Sequence, residues 1–169
     1  MRQNKDILWK WLLEWVVDDL LRFVFADADL VFDLERSFGF LDKELAEMYP
    51  EPDKKTDVRF VDKLVKVYRK DGGEEWVLIH IEVQDNTKAE DRPLFPERMF
   101  RYFYRCLDRH RKPVAAIAIF CGPDGKELGN TYQYDFMGTR LQYTYNALRV
   151  LDYSDEELGN SKNPFASYL

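Results

Sequence analysis

The segment Trp76–Gln84 reads WVLIHIEVQ, and its polar residues His80, Glu82 and Gln84 fall at every second position. On an extended strand alternate side chains share a face. Val77, Ile79, Ile81 and Val83 therefore belong against a core, while a carboxylate and a carboxamide stand side by side on the other face. A second carboxylate, Asp62, interrupts the apolar residues Phe60, Val61, Leu64 and Val65 of the segment Val58–Arg69. Lys70-Asp71-Gly72-Gly73-Glu74 lies between the two segments and is a tight-turn signal. If Lys70 faces Glu74 across that turn, Asp62 lies directly opposite Glu82. A slip of one residue would send the two acids to opposite faces. Paired carboxylates repel by up to about 1 kcal/mol on an exposed sheet, and by more when buried. Two arrangements relieve the repulsion. One is a divalent cation, and these hard oxygen donors suit Mg²⁺ or Mn²⁺. The other is an ordinary ion-pair network, with Asp62 on Lys63 or Lys66 and Glu82 on His80 or an arginine of the helix that follows.

Composition narrows the remaining classes. A chain of 169 residues, 46% hydrophobic and 33% charged, can bury one compact core. Its 31 acidic and 25 basic residues give a net charge of −6, which excludes a polybasic nucleic-acid binder. Nucleic acid would have to be met by a local basic patch or through metal held by carboxylates. The only histidines are His80 and His110 and the only cysteines Cys106 and Cys121, so all-histidine and four-cysteine zinc sites and a disulfide framework are excluded. Both cysteines sit in apolar surroundings and read as small buried hydrophobes in a reducing compartment, so a cytoplasmic location is expected. The apolar stretch Ile7–Phe25 is interrupted by Lys10, Glu14, Asp18, Asp19 and Arg22. That is too many charges for a membrane span. The spacing predicts an amphipathic helix with opposite charges one turn apart at Lys10/Glu14 and Asp18/Arg22 and a kink near Asp18–Asp19.

These residues need a scaffold, and its order is legible. A first helix is expected over about Lys5–Phe25, a loop at Tyr49–Asp53, then the hairpin. A second helix at about Pro93–Arg111 leads to the continuous apolar run Val114–Phe120, which reads as a strand buried on both faces. Tyr132–Phe136 and Leu141–Val150 follow as two more strands, or as a strand and a ragged edge. The class is mixed α/β. Residues 1–155 read as one domain and 156–169 as the start of a C-terminal extension. Gly72–Gly73 and Gly122-Pro123-Asp124-Gly125 are turns without the Lys-Ser/Thr of a phosphate loop.

The run RFVDKLVKVYRKDGGEEWVLIHIEVQ, followed by ERMFRYFYRCLDRHRKPVAAIAIF, resembles the Rpn family of recombination-promoting nucleases, which also carries a transposase label and belongs to the PD-(D/E)XK nuclease superfamily. DILWKWLLEWVVDDLL and FGFLDKELAEM are similar to the N-terminal part of that family. The resemblance implies a restriction-endonuclease-like αβββαβ core, a mixed central sheet flanked by helices, within residues 1–155. It implies Mg²⁺-dependent (or Mn²⁺-dependent) hydrolysis of DNA phosphodiesters in recombination, mobile elements or defence. Asp62 and Glu82 would hold the metal, with the main-chain carbonyl of Val83 as a further ligand, and Gln84 would orient the attacking water. The superfamily's usual residue at that last position is Lys. Glutamine places a water but carries no charge to lower its pKa, which puts more of the activation on the metal. Superfamily members often add an acid from the first helix. Glu14 and Glu44 are the candidates here, each otherwise a solvated surface carboxylate.

On the second helix Arg98, Arg101, Arg105, Arg109 and Lys112 recur in steps of three and four, which keeps the helical ones on one face. Met99, Phe103, Cys106 and Leu107 can turn toward the sheet. Such arginines can meet successive DNA phosphates, or form a solvated face paired with Glu97 and Asp108. DNA is the expected partner, no membrane is, and a homodimer is compatible. The rival reading is an inactive nuclease fold kept as a DNA-binding or protein-interaction module. Gln84 and the net negative charge favour that rival.

Overall fold

The computed structural model describes residues 2–48, 60–72, 74–82, 94–122 and 127–169. The chain opens with helix α1 (Arg2–Val24), in which Val16 leaves helical geometry (φ −125°, ψ 17°), just before the kink expected from the acidic pair. Leu13, Val16, Val17, Leu20 and Leu21 are buried, the spacing of one helical face. Arg22 Nη1 donates to Asp18 (2.9 Å), as the one-turn spacing predicted, and its Nε donates to Asp29 (3.0 Å) on the short helix α2 (Ala28–Val31).

Strands β1 (Gly39–Phe40), β2 (Phe60–Tyr68), β3 (Glu74–Glu82), β4 (Val114–Phe120) and β7 (Asn146–Arg149) form the main sheet in the order β1-β2-β3-β4-β7. The first three pair antiparallel, and β3–β4 and β4–β7 pair parallel. Helix α3 (Asp42–Met48) follows β1, and α4 (Leu94–His110) lies in the chain between the parallel strands β3 and β4, where a crossover is needed. The class is mixed α/β, as read from the sequence.

The sheet has two covered faces. On one, Val65, Val67, Ile117, Ile119 and Leu148 pack against α1. On the other, Ala116, Ala118 and Phe120 pack against Phe95 and Met99 of α4, and Leu64 packs against Cys106 of α4 and Leu45 of α3. The unbroken apolar run of β4 is explained by burial on both sides. Leu107, expected to face the sheet, is exposed instead, and Phe95 takes a core position at the first turn. Just past the end of α4, Arg111 has a left-handed φ of 49° and its N–H returns to the Leu107 carbonyl.

The segment Leu141–Val150 holds parts of two strands. β5 (Thr131–Phe136) and β6 (Thr139–Thr144) form a separate two-stranded hairpin across Met137-Gly138, both at positive φ, the geometry of a tight hairpin turn. The chain then leaves the hairpin at Tyr145 and enters the main sheet as β7. Residues 156–169, expected to begin an extension, pack back on α1. Helix α5 (Asp155–Asn160) is capped by Ser154 and Glu157, Asn163 donates to the Asp19 carbonyl (2.9 Å), and Phe165 is fully buried in the α1-side core. Among the described residues no helix is long and apolar enough to cross a membrane.

Candidate functional site

The hairpin closes in a register that corrects the expected one. Asp62 pairs with His80 and Glu82 pairs with Phe60, so Asp62 is not directly opposite Glu82 but two positions away. The cause is a non-local partner for the turn residues. Arg69 forms a bridge with Phe32, the Lys70 N–H donates to the Val31 carbonyl (3.0 Å), and the Asp33 N–H donates to the Tyr68 carbonyl (2.8 Å). With Arg69 and Lys70 engaged there, cross-strand pairing stops at Tyr68↔Glu74, and Gly72 takes the positive φ (90°) that the wider loop requires.

A shift of two residues preserves the face. Register parity puts positions 62, 80 and 82 on the same side of the sheet as Leu64, Ala118 and Phe120, the side covered by α4. Diagonal neighbours on adjacent antiparallel strands lie about 7–8 Å apart at Cα. Two carboxylate-bearing residues at that spacing can reach a common hard cation, and an Asp and Glu set with a main-chain carbonyl fits Mg²⁺ or Mn²⁺ rather than a softer metal. The side chains of Asp62, Glu82 and Glu44, and all of Val83 and Gln84, lie outside the described residues. Among the described residues no group of three or more His, Cys, Asp and Glu side chains could hold a metal ion.

Glu14 is placed elsewhere. Its carboxylate accepts from Lys63 Nζ (2.6 Å), and Asp42, the first residue of α3, accepts from the same ammonium (2.7 Å). Lys63 follows Asp62 in β2, so its position belongs to the opposite, α1-side face. Glu14 is therefore not brought to the face of positions 62 and 82. Lys63 is 2% exposed and is the one charged side chain buried among the described residues. Burial pulls its pKa down, but hydrogen bonds and charge from Asp42 and Glu14 more than compensate and raise it above the ordinary lysine value.

The arginines of α4 divide. Arg101, Arg105 and Arg109 are exposed. Arg101 donates to Glu97 one turn away (2.6 Å), and Arg109 to Glu47 of α3 (3.0 Å). Arg98 is half-buried, with its guanidinium 5.4 Å from the Phe95 ring centroid. A further cation comes from a part of the chain with no motif. Arg149 of β7 pairs in register with Phe120, which pairs with Glu82, so Arg149 lies on the same face two strands from position 82. Its guanidinium stands 5.6 Å from the Phe120 ring centroid and donates to the Leu128 carbonyl (2.8 Å). Phe95 and Phe120 are in tilted contact at 5.2 Å, so Arg98 and Arg149 are held on adjoining rings. No local signal marks Arg149. Its place follows from β7 joining the sheet beside β4.

Comparison of the chain with protein-family models, with curated proteins and with solved structures finds no match.

Proposed function

We propose that this chain is a metal-dependent DNA endonuclease of the PD-(D/E)XK type, as its resemblance to the Rpn family implies. The observation that carries the reading is the shared face of positions 62 and 82 on adjacent strands, which survives the corrected register. The chain order supports it. With the short helices α2 and α3 interposed before and after β1, a helix, three antiparallel strands, a helix and a strand parallel to the third occur in an order compatible with an αβββαβ core. Asp62 and Glu82 would hold Mg²⁺ or Mn²⁺, with the Val83 carbonyl as a further ligand. The ion supplies charge stabilisation at the phosphate and activation of water. Gln84 orients the nucleophile through its carboxamide. Arg98 and Arg149, which lie against Phe95 and Phe120, would meet phosphate oxygens near that face, and Arg101, Arg105 and Arg109 would extend the basic surface along α4. None of these contacts reads base sequence.

One observation favours the second reading, a nuclease-fold interaction module. Arg101 and Arg109 already pair with Glu97 and Glu47, which lowers the positive field offered to DNA.

The test is plasmid nicking in Mg²⁺, Mn²⁺ or EDTA by the parent chain, Asp62→Ala and Glu82→Ala. Metal-dependent nicking that falls by roughly 10²–10³-fold in both variants, the scale of losing one preorganised electrostatic group, is the expected result. Nicking unchanged in the variants would place the activity elsewhere. A parent that neither cleaves nor binds metal would leave the interaction module.

A further inference from the structure

We infer that Lys63, Glu14 and Asp42 form a positioning clamp that fixes the start of β2, and with it Asp62, against β3. The inference rests on the nuclease reading and assigns Glu14 a role other than metal ligation.

β1 contacts only part of β2: Gly39 and Phe40 pair with Lys66 and Val65, and the Leu41 N–H donates to the Leu64 carbonyl (2.8 Å). Toward its start, from Lys63 to Phe60, β2 has ladder pairing from β3 alone among the described residues. The Lys63 side chain supplies the missing hold on that end. Its ammonium is bound at 2.6 Å by α1 and at 2.7 Å by α3, and lies 5.2 Å from the Phe40 ring centroid. One strand position is thus tied to two helices at the residue next to Asp62.

Stability alone does not call for this arrangement, since replacing a whole buried ion-pair cluster by well-packed apolar side chains is often neutral or stabilising. What two short bonds from separate elements add is a defined geometry. Carboxylates that share a metal need that geometry, since partners that orient metal ligands without touching the metal change affinity by about 10–100-fold when removed.

The experiment measures Mg²⁺-dependent plasmid nicking against metal concentration, with thermal melts, for the parent, Lys63→Met, Lys63→Arg, Glu14→Gln and the Lys63→Met/Glu14→Gln double variant. A clamp predicts that Lys63→Met, at a temperature where it is folded, needs about 10-fold more Mg²⁺ for half-maximal rate. Lys63→Arg should recover part of that shift. Glu14→Gln should raise the requirement in the parent but add nothing once Lys63 is gone. A Lys63→Met chain that melts earlier yet keeps the parent's half-saturating Mg²⁺ would overturn the inference, because a purely structural residue lowers the folded fraction without moving metal affinity. A Glu14→Gln effect undiminished in the double variant would also overturn it, by making Glu14 a ligand. If Lys63→Met does not fold, Lys63→Arg and Glu14→Gln decide on the same readout, and parent-like half-saturation in both overturns the inference. A parent without metal-dependent nicking sinks both readings. Failure confined to the clamp variants sinks only this one.

Discussion

Lys63 and Asp62 are consecutive residues of one strand, each a charge in an otherwise apolar run, yet the two faces of the sheet treat them differently. On the α1 side the lysine is enclosed and matched by two carboxylates reaching in from α1 and α3. On the α4 side the register gathers the positions of two acids, Asp62 and Glu82, around His80, with Arg98 and Arg149 on neighbouring rings. A charged residue in a strand signals that something must compensate it, and the compensation can be internal or bound. Lys63 shows the internal solution. For Asp62 and Glu82 we propose the bound one.

This contrast can be broken by substitution. Replacing Glu14 and Asp42 together by Gln and Asn leaves a buried ammonium without a counter-charge, which should cost about 3–5 kcal/mol in denaturant unfolding. Lys63→Met should cost less, about 1–2 kcal/mol, because the carboxylates left behind are partly exposed (36% and 47%) and regain water. Equal costs would mean that the ammonium is hydrated and the clamp loose.

The pH dependence has a definite sign. A lysine whose folded pKa is raised contributes stability that is fully present below its ordinary 10.5 and is lost as pH rises through the higher folded value. The difference in melting temperature between the parent and Lys63→Met should therefore stay flat between about pH 6 and 9 and shrink only above the ordinary lysine range.

A smaller effect tests the packing on the α4 side. Burial pushes the Cys106 thiol up to about 11, while Cys121 is half-buried. At neutral pH one thiol should react with a thiol reagent in the native protein, and Cys106 only on unfolding. Rapid native labelling of Cys106 would show that α4 lifts from Leu64, which would loosen the face proposed to hold the metal.

The legible parts of the fold were those set by local pattern. The spacing of Leu13, Val16, Val17, Leu20 and Leu21 gives the buried face of α1, and the unbroken Val114–Phe120 run gives a doubly covered strand. The turn glycines mark the β2–β3 hairpin but not its register, because Tyr68 and Lys70 hydrogen-bond to Asp33 and Val31 and Arg69 bridges Phe32, partners no local pattern announces. The same limit hid the partners of Lys63, which lie 49 and 21 residues away in the chain. It hid Arg149 as well. Its place depends on β7 reaching the sheet after a separate hairpin. A register shift of two residues preserves parity, by contrast, so the shared face of positions 62 and 82 is readable in the sequence although their alignment is not.

The most direct test is a calorimetric Mn²⁺ titration of the folded parent beside Asp62→Ala and Glu82→Ala. Saturable binding by the parent, lost in both variants while their melting temperatures stay close to the parent's, is the expected result. Binding of equal affinity in all three would contradict it, and would return Asp62 and Glu82 to the same kind of internal compensation that Lys63 has on the other face.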